Sequence, residues 1–372
     1  MQSESVLVVG AGVIGAAIAD TLASRGASVT VLDMRSPGRG ASQASAGALV
    51  PYIEAHEDTP LLALGARSLA MYDEFIRRLV TRTGLTIEYS RPGSLDVALG
   101  DDDVARLQVV KAWLNTRGVG NEWIDGRSVA SFEPAVTSTA RCGLFIADHG
   151  FVGVSSLVRA LVQSARLAGA AFEAPVEAMS VHPHDDRVEV KAGDRSYAAD
   201  AVVIAAGSWS RRIRISGVES PPVKPIRGQL LHLRWPDADR PSRIVWSSRC
   251  YAVPWSDGSL LVGATVEDVG FDENSTVAGV HDLTDAAGEL LPKAWQAPLE
   301  AVRVGLRPAS PDGLPAIGTL ARAPRVMVAT GHYRNGVLLA PLTAQMVAGR
   351  LIDDVIDPVL PSLSPDRFDS RA

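Results

Sequence analysis

The chain has 372 residues, too many for one comfortable hydrophobic core, and reads as two interleaved domains. Its 36 basic and 42 acidic side chains leave a net charge of −6, with no Lys/Arg run among aromatics, which argues against a nucleic-acid partner. No apolar run approaches the roughly 18–20 residues that span a bilayer, the N-terminus lacks a signal-peptide pattern, and two cysteines suit a reducing compartment, so a soluble cytoplasmic protein without a membrane partner is expected.

Val6–Val9 is a short β-branched run, as expected of a buried parallel strand. Gly10-Ala11-Gly12-Val13-Ile14-Gly15 follows, and then a predicted helix over Ala16–Ser24, ended by Gly26. Ser28–Leu32 is a second apolar strand with Asp33 at its end. Each position has a physical task. Gly10 permits the tight turn, Gly12 lets the backbone approach a pyrophosphate, and Gly15 lets helix and strand pack closely. Val13 and Ile14 lie between the glycines as further cofactor contacts, and the N–H groups at the start of the helix face the phosphates. Asp33 stands where an acid binds ribose hydroxyls. The unit therefore predicts a dinucleotide site. It disfavours NADP, whose 2′-phosphate Asp33 would repel, and leaves both FAD and NAD open.

Residues 37–49 are almost all small, as an ordered loop against a flat ligand requires. An amphipathic helix is predicted over 60–79, two strands over 87–99 broken at Pro92-Gly93, and helices over 101–117 and 154–168. A strand at 171–173, a hairpin at 187–199 and a buried strand at 201–207 come next. The middle of the chain then changes to apolar–polar alternation, with antiparallel strands predicted at 229–234, 244–253 and 259–264. A strand over 325–329 and a helix over 338–351 end the pattern, and no internal repeat is visible. The expected fold class is α/β: a Rossmann-like FAD-binding domain with an inserted antiparallel-sheet substrate domain. The boundaries read as 1–85, 146–220 and 300–372 for the first, and 86–145 and 221–299 for the second.

Several segments together resemble the glycine oxidase and D-amino acid oxidase family of FAD-dependent amine oxidases. They are Gly10–Gly15, Ala46-Gly47-Ala48-Leu49, Val203–Trp209, Gly305-Leu306-Arg307-Pro308 with Asp312–Pro315, and Thr330–Pro341. Within that family the resemblance is strongest to glycine oxidases, including those of thiamine biosynthesis. It implies FAD, with Ser42, Ala46, Gly47 and Leu49 along the isoalloxazine. Val176, Ala206, Gly207 and Trp209 would flank the adenine and pyrophosphate. Arg334, Asn335, Gly336, Val337 and Leu338 would meet the flavin from the C-terminal end. A helix starting near Gly336 would favour the anionic reduced flavin. Neither Cys142 nor Cys250 lies in a C-terminal flavin segment, so the FAD is expected to be non-covalent.

Amino acid oxidation needs a fixed carboxylate, a Cα–H aimed at the flavin and a neutral amine. Arg307 is the expected carboxylate clamp, because a planar guanidinium pairs bidentately with a carboxylate. On residue type alone a structural ion pair is the commoner use of an arginine, and it is the resemblance that assigns Arg307 to substrate. Tyr251 is the expected second donor, Arg334 lies between flavin and pocket, and His332 is read as a structural histidine. No acid or base on the protein is required, and no metal is expected. The chain departs from the glycine oxidase pattern at Arg249, where a His is expected, and at Val266, where a Met is expected. An extra cation and a shorter side chain point to a substrate larger than glycine, such as an N-substituted glycine with a second carboxylate. The expected reaction is oxidative deamination of glycine or such a secondary amine, giving glyoxylate, with O2 reduced to H2O2. Alternatives are a D-amino acid oxidase, a dehydrogenase passing electrons to another acceptor, and a non-catalytic flavin-binding protein. A homo-oligomer is compatible with the sequence.

Overall fold

The computed structural model describes residues 5–54, 59–236 and 239–369. Its first layer is a six-stranded sheet in the order Ala316–Leu320, Ala323–Thr330, Ala201–Ile204, Ser5–Val9, Ser28–Leu32 and Ala171–Glu173. The last five run parallel, and Ala316–Leu320 pairs antiparallel on one edge. Side chains in these strands alternate between two covers. Val6 and Val8 join the core under helices Val13–Ser24, Val154–Leu167 and Gly336–Leu351. Leu7 and Val9 join the core under a four-stranded sheet that includes Val188–Ala192 and Arg195–Ala199. The period of two explains why the strand is apolar throughout: both of its faces are buried.

The helix after the first strand begins at Val13, earlier than the Ala16 expected from periodicity. Gly10 turns the chain at φ +109, where a side chain would be strained, and a Cβ there would lie 2.4 Å from the carbonyl oxygen of Ala205. A Cβ on Gly15 would lie 1.8 Å from the Gly10 carbonyl oxygen, so Gly15 works by close packing.

The second layer is an eight-stranded sheet in the order Leu299–Ala309, Lys224–Arg234, Ser259–Gly263, Tyr251–Pro254, Ile244–Trp246, Ser94–Ala98, Cys142–Ile146 and Glu122–Asp125. Helix Val277–Leu290 covers it through Leu283 and Leu290, packed with Leu231, Leu260 and Val262. Three expectations change. Strand 299–309, unmarked in the sequence pattern, pairs along Lys224–Arg234, so the boundary drawn at 300 falls inside the substrate sheet. The single strand expected over 244–253 is two strands with a tight turn between them, closed by Ser247 N–H donating to the Cys250 carbonyl (2.8 Å). The C-terminal helix starts at Gly336 rather than Leu338. Among the described residues no helix is long and apolar enough to cross a membrane.

Candidate active site

A cleft of about 460 Å3 runs between the two layers. At one end the nucleotide wall is built from backbone. Asp33 accepts from Ala11 N–H (2.6 Å) and Arg35 N–H (2.7 Å), which ties the glycine-rich turn to the second strand. Burial raises its carboxyl pKa, against the lowering effect of those two bonds and the Arg35 charge. Val176 N–H donates to the Asp33 carbonyl (2.7 Å) and brings Val176 to the cleft. Val13 N–H, at the start of the helix, donates to Ser42 Oγ (3.0 Å). Gly12, Ile14, Ala206, Gly207 and Trp209 line the same stretch.

These residues fit a dinucleotide. A Cβ on Gly12 would meet only Ser42 Oγ (3.5 Å), and one on Gly207 would meet nothing within 4 Å. The backbone is thus open toward the cleft where a pyrophosphate would run past the helix N-terminus. Sequence reasoning missed Arg35. Its guanidinium lies 4.7 Å over the Trp209 ring and pairs bidentately with Glu273 (3.0 and 2.7 Å). Its partner stands 238 residues away, so no local pattern signals it.

The middle of the cleft is lined by Ala46, Gly47 and, from the other side, Arg334, Asn335, Gly336, Val337 and Leu338. Helix Gly336–Leu351 points its N-terminus into this space. Its first turn is pinned by Tyr72 Oη donating to the Val337 carbonyl and Ser68 Oγ donating to the Leu338 carbonyl (2.6 Å). His332 is buried, shares a hydrogen bond between Nε2 and Thr343 Oγ1 (3.1 Å), and is pushed by burial down to about 3. Burial thus favours its neutral form.

The opposite wall comes from the eight-stranded sheet. Arg307 Nη1 donates to the Thr265 carbonyl (2.9 Å) and the Arg227 carbonyl (3.3 Å). A Cβ on Gly228 would lie 2.3 Å from Arg307 Cζ and both terminal nitrogens, so the guanidinium lies flat over that glycine. Tyr251 lies the same way over Gly263, whose Cβ would be 2.5 Å from the hydroxyl, and stacks on Trp246 at 4.7 Å. Arg307, Tyr251, Trp246 and Gly228 all line the cleft. Tyr333 N–H donates to the Pro308 carbonyl (2.8 Å), which joins the segment before the C-terminal helix to the end of the Arg307 strand. Gly228 and Gly263 were missed in the sequence. Glycine inside an alternating strand is the signal that marks them.

Four expected site residues do not join the cleft lining. Arg249 sits in the turn after Ile244–Trp246 and pairs with Asp285 (2.8 Å) and Glu289 (2.6 Å) on helix Val277–Leu290, at the surface. Val266 is 58% exposed, because alternation puts its side chain opposite those of Thr265 and Glu267. Gly15 packs against Gly10 and Leu49 is fully buried in the helix-side core. Neither cysteine lines the cleft; both are buried thiols, raised by burial to about 11.

A backbone cradle for a dinucleotide faces an arginine and a tyrosine across one cleft, which is the architecture of a flavin-dependent oxidoreductase. The chain matches the family model of DAO, FAD dependent oxidoreductase, over residues 5–350, and it belongs to that family. It is 33% identical to a glycine oxidase from Geobacillus kaustophilus (strain HTA426) over 346 residues, 92% of this chain and 91% of the relative. The crystal structure of a glycine oxidase from Geobacillus kaustophilus superposes with a TM-score of 0.92, at 31% identity and covering 99% of each chain. That of an iminodiacetate oxidase from Chelativorans sp. BNC1 gives 0.86 at 26% identity, covering 97% of this chain and 98% of the other. The protein is thus an FAD-dependent, glycine oxidase-like enzyme of the amine oxidase kind, with the D-amino acid oxidase-like fold expected from its sequence.

Proposed function

We propose that the protein oxidises glycine or an N-substituted glycine at Cα, releases an imine that hydrolyses to glyoxylate, and passes the electrons to O2 as H2O2. The observation that carries this reading is Arg307 lying flat on the sheet wall with Tyr251, opposite the glycine-rich cradle. Bound FAD supplies the hydride acceptor. Arg307 takes the substrate carboxylate, and the Tyr251 hydroxyl is its second donor. With the carboxylate held on the sheet side, Cα is presented to the middle of the cleft. The N-terminus of helix Gly336–Leu351 favours negative charge there. His332, buried and bonded to Thr343, takes no part as acid or base. Neither Cys142 nor Cys250 lines the cleft, which supports a FAD held without a cysteinyl bond.

A substrate with a second carboxylate stays within this proposal, but by a different cation. Arg249 is engaged by Asp285 and Glu289, whereas Arg334 lines the cleft, as Arg307 does. Likeness to an iminodiacetate oxidase favours that variant. A peroxidase-coupled screen of the yellow protein with glycine, sarcosine, D-amino acids and iminodiacetate tests both readings. Peroxide with glycine or an N-substituted glycine is expected. Flavin that none of these compounds bleaches would overturn the proposal. Bleaching without peroxide would replace the oxidase by a dehydrogenase.

A further inference from the structure

The segment 264–276 leaves strand Ser259–Gly263 and crosses the substrate wall as a strap. One carboxylate lies at the centre of its fastening. Glu267 Oε2 pairs with Arg227 Nη2 (2.5 Å), and Oε1 accepts from Gln229 Nε2 (2.8 Å) and Thr265 Oγ1 (2.6 Å). Arg227 is buried, 4% exposed, and its other arm meets Asp272 further along the strap (2.5 Å). Gln229 Oε1 accepts from Thr276 N–H at the strap's end (2.9 Å). Two main-chain bonds join Arg227 to Glu267, with N–H to carbonyl distances of 2.8 and 3.0 Å.

The two carbonyls that hold Arg307 Nη1 belong to this assembly. One is that of Arg227 and the other that of Thr265. The side chains of Arg227, Thr265 and Glu267 lock together, and the carbonyls of the first two aim Arg307. Glu267 itself does not line the cleft. A guanidinium that must match two carboxylate oxygens depends on its orientation, so whatever fixes those carbonyls fixes substrate affinity. We propose that Glu267 is a positioning residue for the substrate carboxylate, acting through the strap on the Arg307 guanidinium. This rests on Arg307 being the carboxylate clamp.

The test is Glu267→Gln, which keeps the shape and removes the charge. The FAD-loaded variant is titrated with glycolate, read as a change in the flavin spectrum, and assayed with glycine and glycine ethyl ester. We expect retained flavin, about tenfold weaker glycolate binding and a similar rise in the glycine KM, with the ester KM and kcat changed by less than about threefold. A purely structural ion pair would move both substrates together or lose the flavin. Equal changes for glycine and ester, or unaltered glycolate binding, overturn the inference. Arg307→Ala separates this from failure of the underlying reading. If it binds glycolate like wild type, the clamp itself is wrong. If it loses glycolate while Glu267→Gln keeps it, only the strap's role falls. Should Glu267→Gln fail to fold, Thr265→Val cuts the Thr265–Glu267 bond, together with the bond from Gln229 N–H to Thr265 Oγ1, and leaves the Arg227–Glu267 pair. A glycolate affinity weakened about threefold supports the inference, and an unchanged one overturns it.

Discussion

The nucleotide wall of the cleft starts from the contiguous unit of residues 5–33, while the substrate wall is collected from four strands between 224 and 309. The first wall works mostly through backbone: Gly10 at φ +109, a helix start with Gly12 bare toward the cleft, and Asp33 tying the turn together. The second works through side chains laid over glycines, Arg307 on Gly228 and Tyr251 on Gly263. A diphosphate is recognised the same way whatever amine is oxidised, so local backbone geometry suffices. A particular amino acid needs a particular cation at a particular angle, and that takes tertiary placement.

Substitutions on the two walls should therefore fail differently. Arg307→Ala removes a charge-assisted, bidentate contact. It should lower kcat/KM for the amino acid substrate by about a thousandfold or more, with flavin content unchanged in the visible spectrum. Flavin loss from this variant would show that the walls are not separable. Gly10→Ala should do the reverse. Strain at a positive φ costs about 1–3 kcal/mol, and the contact with the Ala205 carbonyl adds to it. Purified protein should come out poor in FAD and with a lower Tm, and FAD supplied in excess should restore activity toward glycine.

Acid sharpens the comparison on the substrate wall. Burial raises the Glu267 carboxyl, but hydrogen bonds from Arg227, Thr265 and Gln229 hold it down at about 2, below its ordinary 4.5. A group depressed in the folded state stabilises the fold above its unfolded value, and that contribution is lost as pH falls through the folded one. The stability gap between wild type and Glu267→Gln should be constant above pH 4.5 and shrink between pH 4.5 and 2. Urea unfolding across that range checks this, and a gap widening toward acid would contradict it. The smallest effect is expected at Arg249→Ala. Its exposed pairs with Asp285 and Glu289 contribute little, within about 1 kcal/mol, and kinetics on glycine and iminodiacetate should match wild type.

How far the site is legible in sequence follows from the separation of its parts. Gly10, Gly12, Val13 and Asp33 can be read because each is placed by a neighbour within one βαβ unit. Arg307 was legible as a residue type in a familiar setting, but its aim was not, since Thr265 and Arg227 lie 42 and 80 residues away. Arg249 misled for the same reason. Two residues from Tyr251 along an expected strand it would share the pocket face, yet the turn at Ser247–Cys250 swings it toward helix Val277–Leu290. Trp246, paired with Tyr251 across that turn, takes the place beside the tyrosine instead.

What the sequence determined by itself is the dinucleotide cradle and the alternation of the α/β strands, because both depend on periodicity and backbone freedom over a few adjacent residues. Tertiary structure alone decided which cations face the cleft. Arg35 stays in the cleft lining while paired with Glu273, whereas Arg249 went to Asp285 and Glu289 and Arg227 into the strap that holds Arg307. A guanidinium settles where its charge is matched and its donors are satisfied, and those partners lie across the fold rather than along the chain.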